Sequence, residues 1–525
     1  MRSGPVRRVL DAIADHASDA TCRPALLGIN HYVTSERFLD EALHCHPPHT
    51  HGGNRWHRYA DVEAVRVLRD GPVGPARLLL QAWQRYGLPL AVTEAHIGCT
   101  REQQLQWVRY LWRSAEKARA DGADVRAVTA WALLGSFDWR SLLTREDHAY
   151  ESGAWDVRAP TPRATALVPV LTALASGAEP AHPVLAAEPW WMRPDRLAYP
   201  PRRGTVALEA QRNPPLGGAS THPVRPLLIL GAGGTLGVAM RRLARERGLP
   251  CVAYSRRDVD ITDAEAVRRA FDAAHPWAVV NAAGWVRVDD AEHEHDACRR
   301  ANVVGAETVA RLAAERALPL CTFSSDLVFG STAIRPFVES DLPAPRNVYG
   351  HSKRDAELRV LARHDGALVV RTSAFFGDWD DANFVTCTLA ALARGRDVLA
   401  PDDAVVSPTY VTDLAHACLD LLTDGAHGVW HLANVGACTW LELAQRAADI
   451  AGLDASRLQR CSSRDIGWVA PRPAYSVLGS ERATLLAPLD DALDRHLRAR
   501  AWERLARRLP TTPAASPRIS HACPS

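Results

Sequence analysis

A tyrosine and a lysine stand four residues apart in the segment Tyr349-Gly-His-Ser-Lys353. On a helix this spacing places both side chains on one face. A phenol has an ordinary pKa of ~10 and is a weak acid at neutral pH, but a nearby ammonium favours the phenolate and lowers that pKa. The spacing therefore predicts that Tyr349 is a general acid. Lys353 is predicted to lower the pKa of Tyr349 and to bind a ribose.

A serine lies upstream of this pair, in Ser324-Ser-Asp326. A serine hydroxyl can polarise a carbonyl oxygen on which negative charge develops during hydride attack. We therefore predict that Ser325, Tyr349 and Lys353 together reduce a ketone. The tyrosine–lysine spacing by itself mostly marks an ordinary helix face, so its meaning depends on a glycine-rich turn further upstream.

That turn is Gly231-Ala-Gly-Gly-Thr-Leu-Gly237, which directly follows the apolar run 226–230. Glycine permits a tight turn and lets backbone N–H groups approach a pyrophosphate at a helix N-terminus. The alternative is a glycine-rich turn without a ligand. We predict a dinucleotide site, and its contacts are Gly231, Gly234, Thr235, Leu236, Gly237, Ser255, Arg256, Asp260, Ile261, Asn281, Ala282, Ala283 and Lys353.

The end of the second apolar run, Tyr254-Ser-Arg-Arg257, bears on the choice of cofactor. An enzyme restricted to NAD usually has an acid there for the ribose hydroxyls. Arginines can instead hold a 2′-phosphate bidentately. The sequence thus favours NADP(H), with NAD(H) as the alternative if these arginines are solvated surface charges.

Short apolar runs alternate with helical stretches from residue 225 onward. Examples of the runs are 227–230, 251–254, 278–280, 320–323 and 367–370. The helical stretches between them include 238–247, 264–274, 296–316 and 352–363. Such alternation predicts βαβ units and a doubly wound parallel sheet of the Rossmann type. The carboxyl ends of these strands would carry the glycine turn, Asn281 and Ser325.

Composition narrows the class of protein. Lys plus Arg (62) nearly balances Asp plus Glu (60), so the protein has no strong net positive charge that would attract nucleic acid. The sequence has no apolar stretch of membrane-spanning length and no apolar signal core at its start. The eleven cysteines lack a framework spacing and indicate reduced thiols. We expect a cytoplasmic protein that acts without nucleic acid or membrane partners, with a homodimer as the assembly to test.

A chain of 525 residues is too long for one core. We predict a first region over 1–178, rich in Trp and His, and a Pro/Gly-rich linker over 179–224. A reductase domain would follow over 225–500. Residues 501–525, which are rich in proline, are expected to be a disordered tail.

The motifs after residue 225 resemble the extended short-chain dehydrogenase/reductase superfamily, and more closely the dTDP-4-dehydrorhamnose reductase family. The resemblance covers about 226–480 and extends through Arg371-Thr-Ser373, Ser407-Pro-Thr-Tyr-Val-Thr-Asp413 and Arg472-Pro473. It implies NADPH-dependent reduction of dTDP-4-dehydro-L-rhamnose, a nucleotide sugar, to dTDP-L-rhamnose. It also implies a substrate pocket within 380–480. Its weaker candidate residues are Asn383, Trp430 and Arg472, and no metal is expected.

Three N-terminal segments resemble late segments of family 1 glycoside hydrolases, whose fold is a (β/α)8 barrel. They are Leu27-Gly-Ile-Asn-His-Tyr-Val-Thr34, Pro89-Leu-Ala-Val-Thr-Glu-Ala-His96 and Trp131-Ala-Leu-Leu-Gly-Ser-Phe-Asp-Trp139. The resemblance implies that Glu94 stands at the nucleophile position, beside Asn30 and Tyr32, and that Trp131 and Asp138 contact sugar. These would be vestigial, because the family's Asn-Glu-Pro acid/base segment occurs nowhere in the chain and a retaining glycosidase needs two carboxylates.

An incomplete barrel segment is therefore expected before the reductase domain, since a full barrel needs ~250 residues. Two alternatives remain open. One is a non-catalytic, nucleotide-binding regulatory subunit on the same fold. The other is a glycoside hydrolase, if a complete barrel exists upstream. The tract 44–51, rich in Cys and His, has metal-ligand residue types but no second ligand pair, so a loop is the expected structure.

Overall fold

The computed structural model describes residues 24–98, 100–202, 223–330 and 335–499. These described residues form two compact units, one within 24–134 and 167–202 and the other within 135–166 and 223–499. These units differ from the predicted ranges 1–178, 179–224 and 225–500, because 135–166 belongs with the C-terminal part. The predicted tail, 501–525, lies outside the described ranges.

The strands are numbered in chain order across both units. They are β1 (Leu27–Asn30), β2 (Arg37–Asp40), β3 (His51–Gly53), β4 (Arg58–Glu63), β5 (Leu90–Ala95), β6 (Val125–Ala130), β7 (Ser136–Phe137), β8 (Tyr150–Glu151), β9 (Trp155–Asp156), β10 (Arg163–Ala164), β11 (Leu227–Leu230), β12 (Cys251–Tyr254), β13 (Ala278–Asn281), β14 (Leu320–Ser325), β15 (Leu368–Thr372), β16 (Phe375–Phe376), β17 (Val398–Pro401), β18 (Val405–Val406), β19 (Thr409–Tyr410), β20 (Gly428–His431), β21 (Cys438–Thr439) and β22 (Leu458–Cys461).

The α-helices are numbered in the same way. They are α1 (Ala64–Val67), α2 (Pro75–Tyr86), α3 (Arg101–Ala120), α4 (Leu167–Ala175), α5 (Thr235–Glu246), α6 (Ala264–Ala274), α7 (His295–Arg299), α8 (Ala306–Ala314), α9 (Val348–Arg363), α10 (Phe384–Leu392), α11 (Val411–Thr423), α12 (Trp440–Ala451) and α13 (Leu489–Ala499). A π-helical segment, Arg300–Gly305, joins α7 to α8.

The first unit contains two small sheets. Strands β1, β5 and β6 form a parallel sheet in the order β1-β5-β6, and β2, β4 and β3 form an antiparallel one. Trp107 is fully buried and meets Trp191 edge to face at 5.2 Å between ring centroids. Part of the predicted linker is thus ordered: Trp191 is buried in this unit, and Arg196 donates to the carbonyls of Val65, Leu68 and Arg69.

The second unit is built on a six-stranded parallel sheet in the order β12-β11-β13-β14-β15-β20. Strands β11, β13 and β15 are buried along their whole length, as expected for a sheet covered by helices on both faces. The strand order reverses between β11 and β13. Ligands of such sheets bind in the crevice at the carboxyl ends of the strands beside this switch point. The prediction of a Rossmann-like α/β fold with a parallel sheet is confirmed.

A C-terminal layer adds three two-stranded pairings, β16 with β19, β17 with β22 and β18 with β21. Its core includes residues of α10, α12 and α13. The apolar residues of this layer form a cluster separate from the cluster beneath the main sheet.

Residues 135–166 form two short hairpins, β7 with β8 and β9 with β10, within the second unit. Arg163 Nη1 forms an ion pair of 2.9 Å with the fully buried carboxylate of Asp424. The same carboxylate accepts a hydrogen bond from the Ala166 N–H. Arg158 Nη1 donates to the carbonyl of Leu485 at 3.2 Å. These buried polar contacts explain why the segment clusters with the C-terminal part, which periodicity could not reveal.

Two further observations concern the whole described chain. Eight cysteines in these ranges are free, consistent with the predicted reduced thiols. None of the helices described is both long and apolar enough to cross a bilayer.

Candidate active site

The glycine turn lies between β11 and α5, at the switch point of the sheet. Gly231 has a φ of +82°, and a Cβ there would lie 2.5 Å from the backbone nitrogen of Ala283. A Cβ on Gly237 would lie 2.1 Å from the carbonyl oxygen of Gly231. Backbone packing therefore requires glycine at both positions. Ala282 and Ala283 lie against the turn, and the Ala282 N–H donates to the carbonyl of Leu230.

The middle of the turn is open. A Cβ on Gly234 would meet nothing nearer than 3.7 Å, and one on Gly233 nothing nearer than 3.9 Å. Gly234 is the N-cap of α5, so the free N–H groups of the first helical turn lie beside open space. This arrangement fits the pyrophosphate of a dinucleotide, because a helix N-terminus favours an anion.

One residue near the turn was not predicted. Asp380 Oδ2 accepts a hydrogen bond of 3.1 Å from Thr235 Oγ1, at the first residue of α5. Asp380 Oδ1 accepts from the Ala382 N–H. A carboxylate thus lies at the helix N-terminus, and no sequence motif marked it.

The end of β12 presents the predicted arginines to solvent. Arg256 and Arg257 are exposed, and Ser255 hydrogen-bonds through N and Oγ to Asp258. Asp260 is partly buried, and its carboxylate accepts from Thr262 N and Oγ1, which lowers its pKa. The charge of Arg256 contributes to this lowering, so Arg256 lies near Asp260.

Helix α9 brings the acid pair to the carboxyl edge of the sheet. Asn347 caps the helix by accepting from the Gly350 N–H at 2.7 Å, which fixes the first turn on which Tyr349 lies. Tyr349 is buried and hydrogen-bonds to Ser325, at the end of β14. The predicted proximity of Ser325 and Tyr349 is therefore seen in the structure.

The pKa of Tyr349 is raised in the structure, whereas the sequence predicted that a nearby ammonium would lower it. Burial raises the pKa of Tyr349, and the nearby Asp326 raises it further. The hydrogen bond from Ser325 and the charge of Arg472 lower this pKa only in part. Sequence spacing could not reveal these effects, because burial and Asp326 are tertiary features.

Lys353 lies on the same helix face as Tyr349, with Nζ 5.6 Å from the centroid of the phenol ring. Its ammonium donates to the carbonyl of Phe323 at 3.2 Å. Burial lowers the pKa of Lys353 to about 8, while Cys298 and Glu357 act in the opposite direction. Lys353 also borders a small cavity with Asn281 and Asn302, beside the predicted position of the ribose.

Asp326 is the main site residue that sequence reasoning missed. It is buried and its carboxylate contacts hydroxyls of Ser325, Ser373 and Ser476. Ser325 ends β14, Ser373 directly follows β15, and Ser476 lies between β22 and α13. Ser324-Ser-Asp326 and Arg371-Thr-Ser373 were recognised as motifs, but nothing in the sequence signalled Ser476.

Of the three predicted substrate residues, Arg472 lies near the acid pair. Its Nη1 lies 3.1 Å from Asp289 Oδ1, and its charge acts on Tyr349. Asn383 instead caps α10, and its amide donates to the carbonyl of Asp380 and to Thr386 Oγ1. Trp430 is buried in β20, where Nε1 donates to the His427 carbonyl and Arg482 lies 4.1 Å above the ring. The structure gives Asn383 and Trp430 structural contacts.

In the first unit, the predicted vestigial residues lie mostly at the carboxyl ends of the parallel strands. Asn30 of β1 is in register with Glu94 of β5, and Tyr32 Oη donates to the Glu94 carboxylate. Trp131 directly follows β6. Asp138 belongs to the second unit, where its carboxylate accepts from the Ala149 N–H. The set therefore does not fall within one compact unit.

The histidine tract 44–51 makes local hydrogen bonds. His46 Nε2 lies 2.8 Å from Asp40 Oδ2, and His51 Nε2 contacts the carbonyl of Leu43. Within the described ranges there is no cluster of three or more His, Cys, Asp or Glu side chains arranged to hold a metal.

Comparison with known proteins gives a consistent picture for the second unit. A dTDP-4-keto-6-deoxy-D-glucose reductase from Streptomyces niveus is 35% identical over 255 residues, which is 48% of this chain and 88% of that protein. A dTDP-4-dehydrorhamnose reductase from Mycolicibacterium smegmatis is 34% identical, over 58% of this chain and 89% of the relative.

A solved structure is also similar. It is a dTDP-4-dehydrorhamnose reductase from Bacillus anthracis in complex with NADP, with a TM-score of 0.50 and 28% identity. It covers 53% of this chain and 99% of that protein. The family model described as the RmlD substrate binding domain matches residues 225–495, just over half of the chain. The glycine turn, the Ser325–Tyr349–Lys353 set and Arg472 all fall within this match, and the chain belongs to the RmlD substrate binding domain family.

Proposed function

We propose that this chain reduces dTDP-4-dehydro-L-rhamnose to dTDP-L-rhamnose with NADPH, as part of nucleotide-sugar biosynthesis. The observation that carries the proposal is the hydrogen-bonded pair Ser325 and Tyr349, with Lys353 on the same helix face, at the carboxyl edge of a parallel sheet. Family membership and the names of the relatives support the same reaction.

The residues would divide the chemistry as follows. NADPH, when bound at the glycine turn, supplies the hydride. Tyr349 gives its proton to the carbonyl oxygen as negative charge develops there. Ser325 hydrogen-bonds the phenol of Tyr349 and so supports this proton transfer. Lys353 holds the nicotinamide ribose and keeps a positive charge near the phenol, whose proton loss it favours.

Near this set lies a cation for an anionic substrate, Arg472, whose charge acts on Tyr349. Arg472 lies beside Asp289 and over Trp468, with its guanidinium 5.3 Å from the ring centroid. Arginine is well suited to phosphate because its planar fork can donate two hydrogen bonds. We infer that Arg472 contacts the diphosphate of the nucleotide sugar.

The exposed Arg256 supports NADPH over NADH as the reductant. It lies at the end of β12, where a 2′-phosphate would approach. We expect Arg256→Ala to weaken NADPH binding by about tenfold, as the loss of one charge-assisted hydrogen bond implies, and to leave NADH binding nearly unchanged. Equal losses for the two cofactors would show that Arg256 has only a surface role.

The reaction can be tested by following NADPH oxidation. The substrate dTDP-4-keto-6-deoxy-D-glucose is generated in situ with a dehydratase, and its L-rhamno epimer by adding an epimerase. We expect turnover with the second and slower turnover with the first. The opposite order would assign the substrate named for the Streptomyces niveus relative.

Tyr349→Phe is the matched variant for this assay. It removes only the phenolic hydroxyl, so we expect ketone reduction to fall at least about 100-fold, the usual contribution of a general acid, while NADPH still binds. Unchanged turnover would remove Tyr349 from the mechanism. If the wild-type chain binds NADPH but reduces neither sugar, the regulatory-subunit alternative replaces our proposal.

For the first unit we propose a partial glycoside hydrolase-like barrel. The parallel order β1-β5-β6 and the hydrogen bond between Tyr32 and Glu94 support this interpretation. We do not propose hydrolysis, because a retaining mechanism needs a second carboxylate about 5 Å from Glu94 and the sequence lacks the Asn-Glu-Pro segment that would supply it. An aryl-glycoside assay that shows product release would contradict this.

A further inference from the structure

Asp326 has an asymmetric set of contacts. Its Oδ2 accepts two hydrogen bonds, from Ser373 Oγ at 2.9 Å and from Ser476 Oγ at 2.6 Å. Its Oδ1 lies 3.0 Å from Ser325 Oγ. Only 3% of the residue is exposed, and no cationic side chain within the described ranges forms a salt bridge with it. A buried carboxyl group without a counter-ion favours its neutral form, because burial penalises the charge.

Counting protons at Ser325 shows why the state of Asp326 matters. Ser325 Oγ has one proton and two lone pairs. One lone pair accepts from the Leu327 N–H at 3.2 Å, which leaves one proton and one lone pair for Asp326 and Tyr349. If Asp326 is ionised, Ser325 must donate to it and accept from Tyr349. The phenol's proton is then directed away from a substrate.

If Asp326 is neutral, the chain of hydrogen bonds runs the other way. Oδ2 already accepts two hydroxyls, so the proton belongs on Oδ1, which faces Ser325. Ser325 then accepts from Asp326 and donates to the oxygen of Tyr349. The phenol's own proton becomes free to point towards a ketone.

We propose that Asp326 carries a proton on Oδ1 and passes it through Ser325 to Tyr349 after Tyr349 has protonated the ketone oxygen. This relay rests on the reduction proposed above. It makes Asp326 a positioning and relay residue, because it acts through Ser325 and does not itself touch the substrate.

The transfers balance. The hydride adds to the carbonyl carbon, so the ketone is reduced and NADPH is oxidised. The Tyr349 O–H bond breaks as the sugar O–H bond forms. Ser325 gives its proton to the phenolate oxygen and takes one from Asp326 Oδ1. The resulting Asp326 carboxylate keeps the hydrogen bonds of Ser373 and Ser476, and solvent water returns a proton after the product leaves.

The environment of Asp326 suits this exchange. Burial raises the pKa of Asp326, while the three serine hydroxyls lower it and so keep the carboxylate accessible during turnover. The titratable and charged groups that act on the same hydrogen-bonded chain are Tyr349 itself, Cys298, which raises the pKa of Tyr349, and Arg472, whose charge lowers it. Hydroxyl donors stabilise a carboxylate without neutralising it, so Asp326 can adopt both its protonated and its ionised form during turnover.

Infrared difference spectroscopy of the full chain tests the proton directly. We expect a protonated carboxyl band at pH 7 in the wild type that is absent in Asp326→Asn. Removing a donor from Oδ2 with Ser476→Ala should make this band persist to higher pH, because the carboxylate loses stabilisation. A carboxylate band in place of the carboxyl band at pH 7 would overturn the proposal, whatever the activity.

Kinetics supply the second arm. We expect Asp326→Asn to lower kcat for the ketosugar about 10- to 100-fold, part of the usual range for proton transfer, with KM within about threefold. Thr372→Val is the matched control, since Thr372 is buried in the neighbouring strand and its hydroxyl has no hydrogen-bond partner among the described residues. It should leave kcat unchanged.

The two proposals fail in different ways. A wild-type chain that reduces the ketosugar together with a fully active Asp326→Asn variant would refute the relay alone. A wild-type chain that reduces no ketosugar would refute the proposed function, and the relay with it. Where Asp326→Asn does not fold, the Ser476→Ala infrared titration decides, and an unshifted band refutes the relay.

Discussion

An added methyl group should affect different properties at two glycines of the turn: stability at Gly237 and cofactor binding at Gly234. A Cβ on Gly237 would overlap backbone on two sides, at 2.1 Å from the Gly231 carbonyl oxygen and 2.8 Å from the Cα of Ala232. Gly234 has a φ of −84° and a ψ of 166°, which alanine adopts freely, and its Cβ would meet nothing within 3.7 Å. Gly237→Ala therefore tests packing, and Gly234→Ala tests the cofactor.

The contact distances set the magnitudes. Ordinary contacts of a Cβ begin near 3.4 Å, so the Gly237 methyl group overlaps the Gly231 carbonyl oxygen by more than an ångström, and this backbone atom cannot rotate away. Overpacking of this kind costs about 1–3 kcal/mol, more than the ~1 kcal/mol that alanine gains in a helix. Gly234→Ala loses a favourable N-cap residue and should cost only about 0.5 kcal/mol. Its methyl group instead blocks the approach of a pyrophosphate, and a loss of about 1.4 kcal/mol there is a tenfold weaker Kd.

Urea denaturation and NADPH fluorescence titration measure the two effects separately. We expect Gly237→Ala to shift the urea midpoint downwards by about 1 M, as a ~2 kcal/mol loss and a typical urea slope imply. Gly234→Ala should lower the midpoint by no more than about 0.25 M and bind NADPH at least about tenfold more weakly. If Gly234→Ala binds NADPH normally, the turn does not hold the pyrophosphate. If Gly237→Ala is as stable as the wild type, the packing argument is wrong.

Two other predictions concern helix α9. Because burial lowers the pKa of Lys353 to about 8, the ammonium predominates below pH 8 and is lost above it, so kcat/KM for NADPH at saturating ketosugar should fall about tenfold per pH unit above 8. A flat profile to pH 9.5 would contradict this. Glu357→Gln breaks a buried pair with Arg371 (2.7 Å) and should cost about 3 kcal/mol in the free energy of unfolding, whereas Arg311→Ala, in the exposed pair with Glu315, should cost under about 1 kcal/mol. Equal losses in urea denaturation would show that burial of the pair is not what matters.

Local patterns in the sequence were enough for much of the second unit. The apolar runs 227–230 and 251–254 are strands with those same bounds, and the helix predicted over 264–274 is observed as α6. Parallel strands buried on both faces give continuous apolar runs, and helices give a repeat near 3.6 residues, so both can be found within a short window. The glycine spacing fixed the position of the turn for the same reason.

The predicted single helix over 296–316 shows where local patterns are insufficient. The structure divides it into α7, the π-helical segment Arg300–Gly305 and α8. Asn302 lies in the π-helical segment, and its side chain contacts Ser352 Oγ at 2.9 Å and the backbone of Trp285. Those partners are distant in sequence, so hydrophobic periodicity carried no sign of them.

By itself, the sequence determined which residues could do the chemistry: the glycine turn, Ser325, and Tyr349 with Lys353 on one helix face. Spacing and residue type are local properties, and they survive any arrangement of the rest of the chain. Only the tertiary structure decided the direction of the pKa shifts of Tyr349 and Lys353 and the hydrogen-bond partners of Asp326. Burial and the hydroxyls of Ser373 and Ser476 come from segments that folding alone brings together, and they set the free energy of each charged form.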